Sequence, residues 1–199
     1  LLTEEKELID RLSRGDMTAF RELVETYKKK MYYFALDMVG DPADAEDVSQ
    51  EVFLKAFRSF KTFKHEAKLS SWLYRIAYNA SIDHLRRRSL APQAIEDTVL
   101  DASSGGFSDS PSSQNPAQTA ENSLLQARIE KALQKVSSQE RAVFLLRHYN
   151  ELMLNEIAET MQISVGSVKS YLFRCIRKLQ KELDIPRTPA PREVNNESL

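Results

Sequence analysis

The stretch from Ser89 to Asn122 limits what this chain can fold into. It is made largely of Ser, Pro, Gly, Ala, Gln and Asp, includes Ser103-Ser104-Gly105-Gly106 and the run Ser108 to Pro116, and contains no Lys or Arg. Such a composition cannot bury enough apolar surface to offset the entropy of ordering it. Any core must therefore be built from the segments before and after this stretch. With 42% hydrophobic residues in a chain of 199, both flanks can build one. The expected organisation is a domain over 1–90, a flexible acidic linker over 91–122, a second domain over 123–183 and a disordered tail over 184–199, where Pro186, Pro189 and Pro191 precede a polar end.

Both flanks read as helix. Phe20, Leu23, Val24, Tyr27, Met31, Phe34, Ala35 and Met38 recur at the three-and-four spacing of one buried stripe. The helix from Asp16 to Val39 is expected to start at an Asp16 cap, and a shorter one, Glu4 to Leu12, precedes it. Gly40-Asp41-Pro42 breaks the pattern and starts a new helix, with Asp41 as cap and Pro42 at the first turn. That helix is expected over Ala43 to Phe60, and a fourth over Ser70 to Arg88 after the loop Lys61 to Leu69. Beyond the linker the pattern returns over Ser123 to Lys135, Ser138 to Asn150, Leu154 to Met161 and Val165 to Leu183. The second of these is introduced by the capping box Ser137-x-x-Glu140. Period-two alternation of strand residues is not found before the linker. The fold class is all-α, as two small helical domains.

A net charge of −1 hides strong segregation. Asp37 to Leu54 holds six acids and no Lys or Arg, whereas Arg58 to Arg88 has eight bases against two acids, net +6. Gly166 to Leu183 has five bases against one acid, net +4. For binding, such local fields matter more than total charge. The single Cys175 excludes an internal disulfide, and no CxxC or HxxxH spacing suggests a metal site. No glycine-rich phosphate loop or nucleophile–base pair is found, and His65, His84 and His148 are scattered. Neither an enzyme nor a cofactor is expected. The longest apolar run, Met31 to Leu36, is far shorter than the roughly 20 residues that span a bilayer. The N-terminus is acidic where a signal peptide would be basic, so a cytoplasmic location without membrane insertion is expected.

Three segments carry the functional signal. Glu156 to Met161, the turn Gln162-Ile163-Ser164 and the segment Val165 to Leu172 fit a helix-turn-helix, with Ala158 small at the crossing, Ile163 in the turn, Ser164 as cap and Val168 and Leu172 inward. Ser167, Lys169, Ser170, Tyr171, Phe173 and Arg174 are left for groove and phosphates, and Arg174, Arg177, Lys178 and Lys181 suit phosphate. An ordinary helical hairpin with a solvated basic face is the other reading. On the third helix, Ala45, Val48, Ser49, Val52, Phe53, Ala56, Phe57 and Phe60 share one side. Asp44, Asp47, Gln50, Glu51 and Leu54 share the other. Leu54 among acids points to a protein partner with a basic, partly apolar helix, against the alternative of a plain solvated face. The fourth helix carries Trp72, Tyr74, Arg75, Tyr78 and Asn79 and ends in Arg86-Arg87-Arg88, after Phe60-Lys61-Thr62-Phe63-Lys64-His65. Bases, aromatics and an Asn so interleaved supply what unstacked single-stranded bases need. The three arginines also suit a helix C-terminus.

With Asp44-Ala45-Glu46-Asp47-Val48-Ser49-Gln50-Glu51-Val52-Phe53, Trp72-Leu73-Tyr74-Arg75-Ile76-Ala77-Tyr78-Asn79 and the helix-turn-helix in this order, the chain resembles bacterial RNA polymerase sigma factors of the extracytoplasmic-function (ECF) group in the sigma-70 family. That group keeps conserved regions 2 and 4. The resemblance implies that Asp44, Asp47, Gln50, Glu51 and Leu54 bind core polymerase at its β′ coiled coil, with the β flap as a further contact. It implies that Phe63, Lys64, His65, Lys68, Trp72, Arg75, Tyr78, Asn79 and Arg86 serve the −10 element, whose flipped base the Lys64 to Leu69 loop and Asn79 capture. Ser164, Ser167, Lys169, Ser170, Tyr171, Arg174, Arg177 and Lys178 would serve the −35 element. It also implies promoter DNA and an anti-sigma factor as partners, and a linker threading toward the RNA exit channel. The chain departs from the usual pattern at Gln162, where a turn Gly is frequent, at Met153, where a Ser or Thr cap is usual, and at Tyr171 and Phe173, often Arg and His. A two-domain helix-turn-helix regulator that does not bind core polymerase is the competing function.

Overall fold

A computed structural model describes residues 2–60, 68–90, 125 and 127–184. The described residues are helical and turn-forming, with no strand. The elements are α1 (Leu2–Ser13), α2 (Met17–Val39), α3 (Pro42–Ser59), α4 (Leu69–Leu90), α5 (127–133), α6 (Ser138–His148), α7 (Leu154–Met161) and α8 (Val165–Glu182). The linker, the tail beyond Asp184 and the loop residues Phe63, Lys64 and His65 lie outside the described residues.

The expected helix starts are made by their own caps. The Asp16 carboxylate accepts from the Thr18 and Ala19 amides at 2.8 and 3.3 Å, and Asp41 accepts from Ala43 and Asp44 at 2.9 and 3.0 Å, with Pro42 in the first turn. Between them Gly40 ends α2 in the left-handed region, φ 82°, its N–H donating to the Leu36 carbonyl at 2.8 Å. A side chain there would be strained and would also meet Gln134, 3.0 Å from the position of its Cβ. The capping box forms as read: the Glu140 amide donates to Ser137 Oγ and the Ser137 amide to Glu140 Oε2, both at 3.3 Å. The start of α4 is capped from a distance, the Leu69 amide donating to Glu5 Oε1 of α1 at 2.9 Å.

In the N-terminal half, α2, α3 and α4 pack together around Leu23, Met31, Phe34, Val48, Val52 and Leu73, all buried. In the C-terminal half, α6, α7 and α8 enclose Leu145, Leu146, Ile157, Val168 and Cys175. Fully burying each Leu, Ile, Phe or Met contributes about 1.5–3 kcal/mol. The two halves are also packed on each other, α6 against α2 and α7 against α4, so their cores are continuous. Phe57 departs from the expected buried side of α3, being 51% exposed. The buried line runs through Val48, Val52 and Ala56, and Phe57 lies a 100° step further round, at the rim. Its ring stands edge-on to Phe20, with centroids 5.0 Å apart.

Candidate nucleic-acid and protein interfaces

On α3 the acidic stripe faces away from the core. Asp47, Gln50 and Leu54 are exposed, Leu54 by 58%, whereas Asp44 and Glu51 are half-buried against side chains of α4. Arg88 lies 2.9 Å and His84 3.1 Å from Asp44, and Arg87 lies 3.3 Å from Glu51. The last turns of α4 therefore brace α3. Glu51 is held below the usual carboxylate pKa by its bond to Lys55 at 2.8 Å, against the effect of burial, with Arg87 adding to it. The end left for an external cation is Asp47 with Gln50, beside Leu54 and the rim of Phe57.

On α4 the residues assigned to unpaired bases separate into two groups. Asn79 and Arg86 are exposed. Trp72, Arg75 and Tyr78 are half-buried, Trp72 edge-on to Phe60 at 5.4 Å. Arg75 Nη2 donates to the Glu159 carbonyl of α7 at 3.0 Å, and Lys68 pairs with Glu156 at 2.9 Å. Burial, and then the neighbouring Tyr171 of α8, push the Tyr78 hydroxyl pKa up.

The helix-turn-helix has the expected turn. Gln162 adopts the left-handed conformation, φ 56° and ψ 45°, and its N–H and that of Ile163 close back on the end of α7. At the start of α7, Met153 offers no side-chain cap. Glu156 substitutes, its carboxylate accepting from the Met153 amide at 2.7 Å. On α8, Ser164 Oγ accepts from the Ser167 amide at 3.1 Å, and Ser170 Oγ donates to the Gly166 carbonyl at 2.9 Å. Val165, Lys169, Ser170, Phe173 and Arg177 are all exposed on α8, with Arg177 over the Phe173 ring at 5.7 Å. Arg174 and Lys178 turn instead toward buried Glu140, at 3.4 and 2.6 Å, with Arg174 also stacked on Tyr171. Burial opposes ionisation of Glu140, but Lys178 and the Ser137 amide outweigh it and hold its pKa below the usual range.

The segments that carry these surfaces match known protein families. Sigma-70 region 2 matches residues 23–90 and Sigma-70, region 4 matches residues 126–179. The RNA polymerase sigma-H factor of Pseudomonas aeruginosa is 33% identical over 189 residues, covering 92% of this chain and 96% of its own. This chain belongs to the ECF sigma factors. The ECF RNA polymerase sigma factor SigW of Bacillus subtilis is 34% identical, over 89% of this chain and 96% of its own. The fold matches that of CnrH in complex with the cytosolic domain of CnrY, with a TM-score of 0.66 at 22% identity, covering 92% of this chain and 99% of that one. It also matches the sigma factor RpoE in complex with the anti-sigma factor NepR from Bartonella quintana, with a TM-score of 0.65 at 22% identity, over 84% and 98% of the two chains. No helix among the described residues of this ECF sigma factor is long and apolar enough to cross a membrane.

Sequence reading missed Arg141. It is buried, and its guanidinium donates to the carbonyls of Leu133, Gln134 and Val136 at 2.8, 2.9 and 3.4 Å, to Gln134 Oε1 at 2.7 Å, and to the Met38 and Asp37 carbonyls at 2.6 and 3.5 Å. The available signal was position. Arg141 precedes buried Leu145 by one helical turn, a cation in line with the apolar side of α6.

Proposed function

We propose that this ECF sigma factor binds core RNA polymerase and directs promoter recognition, −10 opening and transcription initiation. The observation that carries the reading is the exposed stripe Asp47, Gln50 and Leu54 on α3. A regulator acting on DNA alone has no use for an acidic, partly apolar face beside a basic helix, whereas a partner with a basic, partly apolar helix complements it. Asp44 and Glu51 extend the stripe. Lys68, Trp72, Arg75, Tyr78, Asn79 and Arg86, with the loop carrying Phe63, Lys64 and His65, serve the −10 element. Lys169, Ser170, Phe173 and Arg177 enter the −35 groove or its rim, with Ser164, Ser167, Tyr171, Arg174 and Lys178 behind them. The domain division at 1–90 and 123–183 belongs to this reading, as do a cytoplasmic location and an anti-sigma partner. The last is supported by the RpoE fold neighbour, which was solved with one. Run-off transcription with core polymerase on a genomic fragment library tests it. Specific start sites dependent on this protein are expected, and binding to DNA without any polymerase-dependent transcript would favour the plain regulator.

A further inference from the structure

We infer that Glu140 withholds Arg174 and Lys178 from DNA phosphate, and so sets how much of the positive charge of α8 the promoter meets. Glu140 is thereby a positioning residue for DNA binding by α8, which rests on the role proposed above for that helix.

The cations of α8 fall in two rows. Arg177 and Lys181 are one helical turn apart and exposed. Arg174 and Lys178 are also one turn apart, about 60° further round the helix, on the side that meets α6. Glu140 of α6 stands opposite this second row with its side chain only 5% exposed. Its Oε2 accepts from Lys178 Nζ at 2.6 Å, and its Oε1 lies 3.4 Å from Arg174 Nε. Arg141, next in the chain, gives its guanidinium to the carbonyls of Leu133, Gln134 and Val136. The charge on Glu140 is therefore met from α8.

Capping does not call for that charge. The capping box needs an acceptor at the third helical position, and Gln supplies one as Glu does. A buried carboxylate is costlier to desolvate than an amide unless cations pair with it. Here burial is the largest effect on the Glu140 pKa and pushes it up, yet the Lys178 and Ser137 bonds hold it below the usual range. Ionised and buried, Glu140 cancels about one of the two cations. Arg174 is further committed by its stacking on Tyr171, 4.8 Å from the ring centroid. Taking either side chain to a phosphate means stripping a cation from a buried carboxylate. Both nevertheless keep about half their side-chain surface in water, 54% for Arg174 and 50% for Lys178, so removing the carboxylate charge leaves them able to reach DNA.

Glu140→Gln keeps the cap acceptor and removes the charge. Holoenzymes assembled from the wild type and from this variant are titrated by fluorescence anisotropy at several salt concentrations. The probes are a labelled promoter fragment obtained by run-off transcription and the same fragment with its −35 element scrambled. All other contacts are common to the two proteins, so a difference in salt slope reports α8. Glu140→Gln should steepen the slope by about one to two units, an affinity gain of about eightfold or more at about 0.1 M salt, alike on both fragments. Adding Lys178→Ala to Glu140→Gln should take back about one unit. Arg177→Ala in the wild-type background is the reference and should lower the slope by about one. Should Glu140→Gln lose helicity by circular dichroism, Lys178→Ala is compared with Arg177→Ala. It should then cost the slope less than half as much, and an equal cost overturns the withholding. Equal slopes for wild type and Glu140→Gln, with Arg177→Ala still lowering its own, make Glu140 a cap only and overturn the withholding alone. A shallower slope in Glu140→Gln also overturns it, because the carboxylate then presents the two cations to phosphate. If neither Arg177→Ala nor Glu140→Gln moves the slope, α8 does not lie on DNA and the role assigned to that helix fails.

Discussion

Single residues show where local chemistry was legible and where it was not. Asp16, Asp41, Ser137 and Ser164 each cap a helix as their positions in the sequence suggest, because a cap needs only neighbours two or three residues away. Gln162 was legible too, as the residue standing where a turn Gly is frequent. It stands in the left-handed region that Gly occupies without strain, so Gln162→Gly should stabilise the protein by about 1 kcal/mol, the usual left-handed penalty less the added unfolded-chain entropy. Urea unfolding checks this, and an unchanged or lower midpoint would show that the turn is not strained. Asp37 could not be foreseen, since its surroundings come from distant segments. Burial first, and then the charge of Glu130, raise its pKa to about 7 against the pull of Arg141. A raised folded-state pKa means that its contribution is full below the ordinary carboxylate range and is lost as pH rises through 7. The depressed Asp16, Glu51, Glu140 and Glu156 titrate in the opposite sense and only at more acid pH. Asp37→Asn should therefore gain stability over the wild type between pH 5 and 8, on the order of 1–2 kcal/mol for a half-buried group. Thermal melts at the two pH values measure it, and parallel melting curves would place Asp37 in ordinary solvent.

At the scale of elements, helical periodicity placed each described helix within a few residues but did not say which polar faces would meet another helix. The α3 stripe was legible because it is a property of one helix. The pairing of Arg87 with Glu51 and of Arg88 with Asp44 was not, because it depends on how α4 crosses α3. The consequence is a sharper mutation. Asp47 is exposed, so Asp47→Arg reverses a charge without disturbing the brace to α4. It should weaken binding to core polymerase by about 2 kcal/mol, roughly 30-fold, with unchanged helicity. Fluorescence anisotropy against core polymerase reads this directly, and full affinity would mean that the stripe is only a solvated face. The same distinction applies on α8. Arg177 and Lys169 are exposed, whereas Arg174 and Lys178 are engaged with Glu140. Lys169→Ala should alter −35 sequence preference, whereas Arg177→Ala should weaken all sequences alike and lower the salt slope by about one. Binding selections at two salt concentrations distinguish them.

For the whole molecule, the all-α class and its two helical pieces follow from local pattern, but the packing of one piece on the other does not, since a long intervening stretch says nothing about whether its flanks touch. That packing covers part of α4 and leaves Asn79 outside it. Asn79 is exposed although Arg75 is engaged by α7, so a change at Asn79 leaves the contact between α4 and α7 untouched. Extracting a base costs a few kcal/mol of stacking and pairing, which edge hydrogen bonds to the captured base help to offset. Asn79→Ala should therefore leave duplex promoter binding by the holoenzyme nearly intact and depress transcription from duplex templates. A template already mismatched across the −10 region should recover much of the activity. Permanganate footprinting on both templates decides the matter. If Asn79→Ala instead lowers thermal stability and affects both templates equally, Asn79 is a local packing residue, and base capture lies elsewhere on the face of α4.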